Sequence, residues 1–198
     1  LDYALALLHR HGLSDATLTL QYLPDVVAAR YGGTAGLRLE VEDAPLGTAG
    51  SVKRAVGDAQ EEVVVLSGDA LTDIDLTAAL AFHRQRGAAA TMVVKRVEDP
   101  RAYGLVRSDE QGRVTGFIEK PGWAQAVTDV ANTGIYILSP AALACIPDDT
   151  FFDFAKDVFP LLLSRGEPLY AFETQDYWCD MGTLEAYREA QRDLLAGR

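Results

Sequence analysis

The sequence predicts an α/β fold, and three observations carry that expectation. Strand and helix patterns alternate through the first half. The run Val63-Val64-Val65-Leu66 is continuous, largely β-branched and closed by Ser67-Gly68-Asp69. From Pro100 the texture changes to short strands on either side of a hairpin-like loop. Alternation of the first kind is the pattern of a parallel sheet with right-handed crossovers. An unbroken β-branched run reads as a strand buried on both faces. No linker-like segment divides the 198 residues, so both halves are expected to share one sheet and one sizeable core.

In chain order, Asp2 to His11 places leucines at 5 and 8, after Leu1, and reads as a helix stopped by Gly12. Ala16 to Leu20 alternates and reads as a strand. Pro24 suits the first turn of a helix to Tyr31, which Gly32-Gly33 breaks. Leu37 to Val41 is a second strand, and a helix follows from about Thr48 to Val56. After the Val63–Leu66 strand, Ala70 to Asp75 reads as a loop. A helix from Leu76 to Arg86 and a strand from Ala89 to Val97 follow. Short strands at Tyr103 to Arg107 and Arg113 to Glu119 flank Ser108 to Gly112, a hairpin signal. Val130 to Leu138 is apolar and extended. Helices at Pro140 to Cys145 and Asp153 to Ser164, a strand at Leu169 to Phe172 and a helix from Leu184 to Leu195 complete the chain.

Composition narrows the chemistry. A formal charge of −11 argues against a nucleic-acid partner, since phosphate-backbone binding needs a basic footprint. The acidity is compatible with a metal-dependent phosphate site without demanding one. Cys145 and Cys179 are too few and ill-spaced for a disulfide framework or a zinc site, so a reducing, cytoplasmic setting is expected. No run of eighteen apolar residues occurs, and no membrane partner is expected. Leu1 falls inside a helical pattern, so residues upstream of it are expected.

Five stretches could carry chemistry, and each also has a structural reading. Asp69 stands beyond the carboxyl end of its strand, where open α/β sheets bind ligands, with Gly68 allowing close backbone approach; it could equally cap the turn. In Pro45-Leu46-Gly47-Thr48-Ala49-Gly50, small residues entering a helix leave amides for a phosphate or a base edge. The alternative is a turn capped by Thr48. Lys120, held extended by Pro121, suits a phosphate monoester as a point charge, or is an exposed hairpin lysine. Asn132 opens an apolar strand, where asparagine is depleted, so its amide needs sugar hydroxyls or a structural turn as partner. Asp180 precedes the last helix, with Thr183 as its cap. Its carboxylate either complements the helix dipole or joins Asp69 on Mg²⁺.

Taken in order, PLGTAG at 45–50, SGD at 67–69, DID at 73–75, YG at 103–104, EKP at 119–121, NTGIY at 132–136, FAKDVFP at 154–160 and YWCDMGT at 177–183 resemble the sugar-1-phosphate nucleotidyltransferases throughout the chain. The texture is most similar to the mannose-1-phosphate guanylyltransferase-like branch. The resemblance implies a Rossmann-like nucleotidyltransferase fold with a mixed, mostly parallel central sheet flanked by helices. It divides the single domain into a nucleotide-binding half, 1–99, and a hairpin-rich sugar-phosphate half, 100–198. It implies attack by a sugar-1-phosphate on the α-phosphorus of a nucleoside triphosphate, releasing pyrophosphate. By motif, Asp69 and Asp180 would hold Mg²⁺, and Asp69 and Lys120 would be catalytic. Lys120 would hold the sugar phosphate, Gly104, Glu119 and Asn132 would line the sugar, and Leu46, Gly47, Thr48 and Gly68 would lie against the nucleotide.

The chain departs from the family at its start. Members open with a glycine-rich GxGTRL loop and a Pro-Lys-Pro segment, and nothing here matches either. The domain is therefore expected to be N-terminally incomplete; the alternative is a non-catalytic, nucleotide-sugar-binding regulatory relative. Transfer to glucose-1-phosphate from an adenylyl, thymidylyl or uridylyl donor is a further alternative, as is a glycosyltransferase using Asp73-Ile74-Asp75 as a DxD metal motif. Homo-oligomerisation is left open.

Overall fold

The computed structural model describes residues 1–118 and 128–197. Ten strands occur among the described residues: β1 (Ala16–Leu20), β2 (Leu37–Val41), β3 (Val63–Val65), β4 (Ala70–Thr72), β5 (Ala90–Arg96), β6 (Leu105–Ser108), β7 (Val114–Ile118), β8 (Val130–Leu138), β9 (Leu169–Glu173) and β10 (Trp178–Asp180). The helices are α1 (Asp2–Arg10), α2 (Pro24–Tyr31), α3 (Gly47–Val56), α4 (Leu76–Arg86), α5 (Pro140–Leu143), α6 (Phe159–Ser164) and α7 (Leu184–Leu195). Six strands form the main sheet in the order β7-β6-β8-β5-β9, with β3 also on β8; β1-β2 and β4-β10 are separate pairs.

β8 organises this sheet. Leu138 pairs with both Val63 of β3 and Ala90 of β5, so those strands lie on opposite edges of β8. Farther back, Ala131 pairs with Leu105 of β6 on the β3 side. Period-two alternation then sorts the side chains onto two faces. Met92, Val94, Tyr136 and Leu138 enter one core with Phe154, Phe159 and Leu162. Val93, Ile135 and Ile137 enter the other with Leu7, Ile74, Leu76 and Ala79. β5 from the first half thus pairs with β8 and β9 from the second, so the two halves share one sheet.

The architecture is α/β with a mixed central sheet flanked by helices, but the balance within it differs from a mostly parallel sheet. Among the described pairings only β1-β2 and β5-β9 are parallel. The excess of antiparallel pairs arises because β8 runs against β3, β5 and β6 alike. The Val63–Leu66 run is correspondingly neither parallel-paired nor buried on both faces. β3 pairs antiparallel with β8, and all three of its valines are half-buried because a cavity lies along it.

Three local corrections have physical causes. The Ala70–Asp75 stretch contains β4, which exists because β10 pairs with it across more than a hundred positions. Phe154–Val158 is a π-helical turn leading into α6, and not the start of one α-helix. Asp153 holds its start by accepting the amides of Ala155 and Lys156, both at 3.0 Å. Thr48 does not cap α3, whose N-cap is Leu46. Expected caps elsewhere are observed: Gly12 lies at φ +75° past α1, and Thr183 accepts the Ala186 amide at 3.1 Å.

Candidate active site

A cavity of about 1120 Å³ is lined mostly by residues of the first half of the chain and reaches into the second. Residues of β1, β3, α1 and α3 line it. It reaches the point on β8 where β3 has left one edge and β6 has not yet begun. At the same point β8 carries a bulge against β5. Val93 pairs with Ile135 and Val94 with Asn132, so Thr133 and Gly134 are extra on β8. Thr133 secures the bulge by donating its hydroxyl to the Val93 carbonyl at 2.8 Å. Gly134 has φ +77°, and a Cβ there would lie 3.3 Å from the Ser67 side chain. Glycine therefore lets β8 and the Ser67-Gly68-Asp69 loop close up at the cavity rim.

Asp69 and Asp180 meet at this rim. The antiparallel β4-β10 register sets Asp180 opposite Ala70, and the Met181 amide donates to the Asp69 carbonyl at 3.1 Å. Both acids border the cavity. Ser67 donates its hydroxyl to Asp69 Oδ1 at 2.6 Å. The two following acids are spent on the backbone: Asp73 accepts the Tyr177 amide at 2.7 Å and Asp75 caps α4 through the Ala78 amide at 2.9 Å. Asp69 is thus the acid of that loop left facing the cavity, and Asp73-Ile74-Asp75 serves the fold.

Asn132 and Gly104 lie side by side, joined by a 2.8 Å bond from the Asn132 amide to the Gly104 carbonyl, and both border the cavity. The Asn132 side chain donates to the Tyr136 hydroxyl at 2.8 Å and accepts the Gly134 amide at 3.1 Å. The structural-turn reading of this amide is therefore realised, while a carboxamide has capacity for further bonds. Tyr103 and Trp178 pack with ring centroids 5.2 Å apart beside it, and Trp178 Nε1 donates to the Thr133 carbonyl at 3.1 Å. Burial and nearby acids, Asp180 first among them, raise the Tyr103 phenol, so it stays protonated.

The Leu46-Gly47-Thr48 turn borders the same cavity, but its small residues have another task. The amides of Ala49 and Gly50 donate to the Phe152 carbonyl at 2.9 and 3.0 Å, and do not point outward to a ligand. Cβ atoms at Gly47 and Gly50 would lie 2.6 Å from the Phe152 carbonyl oxygen and 2.4 Å from that of Thr150. Thr48 donates to Asp153 at 2.9 Å and accepts the Phe154 amide at 3.0 Å. Gly68 borders the cavity, where an added Cβ would make only ordinary contact with Leu1. Glu119 and Lys120 lie outside the described residues.

Sequence reasoning passed over Ser67, Trp178 and Glu42. Glu42 follows β2 directly and borders the cavity while only 8% exposed. An acid at the carboxyl end of a strand, just ahead of the PLGTAG turn, was the available signal. Among the described residues no cluster of three or more His, Cys, Asp or Glu could cage a metal by itself. A pair of carboxylates suits Mg²⁺, which takes one or two from protein and completes its shell with phosphate and water.

The family model for nucleotidyl transferases matches residues 1–197. The chain is 33% identical to a UTP–glucose-1-phosphate uridylyltransferase of Synechocystis sp., with 99% of this chain and 55% of that protein aligned. It is 34% identical to a mannose-1-phosphate guanylyltransferase of Mycobacterium tuberculosis, over 100% of this chain and 56% of that protein. It therefore spans about half the length of these curated relatives. The crystal structure of HddC from Yersinia pseudotuberculosis complexed with GMP-PN superposes with a TM-score of 0.81 at 26% identity, covering 97% of this chain and 84% of that one.

Proposed function

The chain belongs to the sugar-1-phosphate nucleotidyltransferase family, and from that premise we propose that the protein transfers a nucleotidyl group from a nucleoside triphosphate to a sugar-1-phosphate. The products are a nucleotide sugar and pyrophosphate, and GTP with mannose-1-phosphate is the favoured pair. The observation that carries the reading is the meeting of Asp69 and Asp180 at one rim of the cavity. Such a reaction needs little covalent help from protein; positioning and charge neutralisation supply most of the acceleration. Asp69, oriented by Ser67, and Asp180 would hold Mg²⁺. An ion held there would supply positive charge to the reacting phosphates. The Leu46–Thr48 turn and Gly68 would flank the nucleotide, and Gly104 and Asn132 the sugar. Glu119 would line the sugar too, and Lys120 would pair with its phosphate. The use of Asp73 and Asp75 as backbone acceptors weighs against a DxD glycosyltransferase.

The uridylyltransferase relative supports a second donor, UTP with glucose-1-phosphate, through the same site. Pyrophosphate release separates the readings. The intact protein is incubated with Mg²⁺, each of the four ribonucleoside triphosphates or dTTP, and mannose- or glucose-1-phosphate. Release that requires both substrates is expected, greatest for GTP with mannose-1-phosphate. Nucleotide-sugar binding with no pyrophosphate from any pair would instead identify a regulatory protein.

A further inference from the structure

The bulge on β8 touches both segments that carry the rim acids. Against β5 the ladder skips Thr133 and Gly134, a break in the strand around which the main sheet is built. A bulge leaves ladder positions unpaired and re-aims the groups beside it. This one is anchored from within: the buried Thr133 donates its hydroxyl to the Val93 carbonyl at 2.8 Å and accepts the Ile135 amide at 3.3 Å. Its remaining contacts lead to the acids. The Thr133 carbonyl accepts Trp178 Nε1 at 3.1 Å, and Trp178 lies on β10 with Asp180 at the strand's other end. Gly134, at φ +77°, seats against the Ser67 side chain, from which an added Cβ would lie 3.3 Å away. Ser67 in turn donates to Asp69 Oδ1 at 2.6 Å. An exposed aspartate otherwise samples several rotamers; one short bond to its charge fixes one oxygen and leaves the other to a ligand.

We infer that the Thr133–Gly134 bulge is the positioning element of the metal site, setting Asp69 through Ser67 and Asp180 through Trp178 so that the two carboxylates serve one ion. The inference rests on the nucleotidyl-transfer reading and its Mg²⁺ site, and adds to them the residues that hold the acids in register. The β4-β10 pairing brings the acids to neighbouring strands. The bulge contributes what that pairing does not, a common seat on the main sheet for both segments. Sliding one segment against the other would leave each acid on its own strand and still spoil the pair, because Mg²⁺ demands near-octahedral geometry at short range. A bulge that merely relieved the sheet would call for glycine at φ +77° and for nothing more. The hydroxyl at 67 and the ring N–H at 178 go beyond that need, and these are the two groups that lead to the acids.

The test titrates Mn²⁺ alone, a paramagnetic stand-in for Mg²⁺, into wild type, Ser67→Ala, Trp178→Phe and Gly134→Ala. Free ion is followed by electron paramagnetic resonance, and melting temperatures are recorded in parallel. Ser67→Ala removes the hydroxyl and Trp178→Phe the ring N–H. Each is expected to weaken Mn²⁺ binding roughly tenfold, the usual loss when a group orienting a metal ligand is removed. The Mg²⁺ concentration that half-saturates pyrophosphate release should rise by a similar factor, while the rate at saturating Mg²⁺ falls far less. Gly134→Ala should weaken Mn²⁺ as well; should it fail to fold, the other two variants decide. Unchanged Mn²⁺ affinity in Ser67→Ala and Trp178→Phe, whatever their melting temperatures, overturns the inference and leaves the metal site standing. A wild type that binds no Mn²⁺ overturns both. Mn²⁺ binding that the variants weaken, with no pyrophosphate from any substrate pair, supports the positioning role and defeats the transfer reading alone.

Discussion

Asn132 and His83 show what burial asks of a single polar side chain. Each is satisfied from within: Asn132 by Tyr136 and Gly134, and His83 by the Thr91 hydroxyl 2.8 Å from Nδ1. His83 is 3% exposed, and burial lowers its pKa from the ordinary 6.5; the charge of Glu62 opposes the shift and Arg84 adds to it. The folded protein thus resists protonation that the unfolded chain accepts. The resulting stability is complete above the ordinary imidazole value and is lost as pH falls from there towards the folded-state value. Unfolding free energies from urea titrations between about pH 7 and 5 should decline in wild type by no more than ~1.4 kcal/mol per pH unit from this proton. The decline should be shallower in His83→Gln. An identical slope in the variant would remove His83 from the account. Glu42 is the contrast, a buried acid whose side chain accepts only the Leu46 amide, at 3.4 Å, among the described residues.

The entrance of α3 has a comparable lesson among the elements. Glycine in a helix interior costs roughly 1 kcal/mol relative to alanine, so Gly50→Ala should stabilise an isolated α3. Here the added Cβ would sit 2.4 Å from the Thr150 carbonyl oxygen, too close for a backbone atom that cannot swing away. The clash is expected to win, with a net loss of about 1–3 kcal/mol in urea unfolding. Gly33→Ala, with nothing within 4 Å of its Cβ, is the control that should change stability little. If Gly50→Ala proves as stable as wild type, close docking of α3 on the Thr150–Phe152 segment is not what these glycines serve. The β8 bulge follows the same logic, trading two ladder positions for a glycine that fits against Ser67.

At the scale of the whole molecule, the acids at the rim are separate from what holds the fold together. Neither Asp69 nor Asp180 belongs to either buried core. Removing divalent ions with EDTA, or making Asp69→Asn, is therefore expected to cut pyrophosphate release roughly a hundredfold or more. The melting temperature should stay within a few degrees of wild type. Full activity in Asp69→Asn would dissolve the proposed metal site. Full activity in EDTA would exclude a dissociable ion. No helix of the described residues is long and apolar enough to cross a membrane.

Much of this was legible in the chain itself. Helix and strand positions follow from periodicities of two and 3.6 residues, which neighbours in sequence enforce, and most elements fall within a residue or two of where those patterns put them. The ordered motifs likewise sufficed for the family. What periodicity could not reveal was every relation between distant segments: that Trp178–Asp180 would turn Ala70–Thr72 into a strand, that the Phe152 carbonyl would take the amides of Ala49 and Gly50, or that β8 would bulge at Gly134. Nor could it tell Asp69 from Asp73 and Asp75, three acids in one stretch, of which Asp73 accepts the Tyr177 amide from 104 positions away while Asp75 caps α4 through Ala78. Local pattern fixes which face of an element is apolar. The partner of a buried polar group is decided only when packing brings one segment against another, and it is there that Asp69, Asp180 and Glu42 acquire their surroundings.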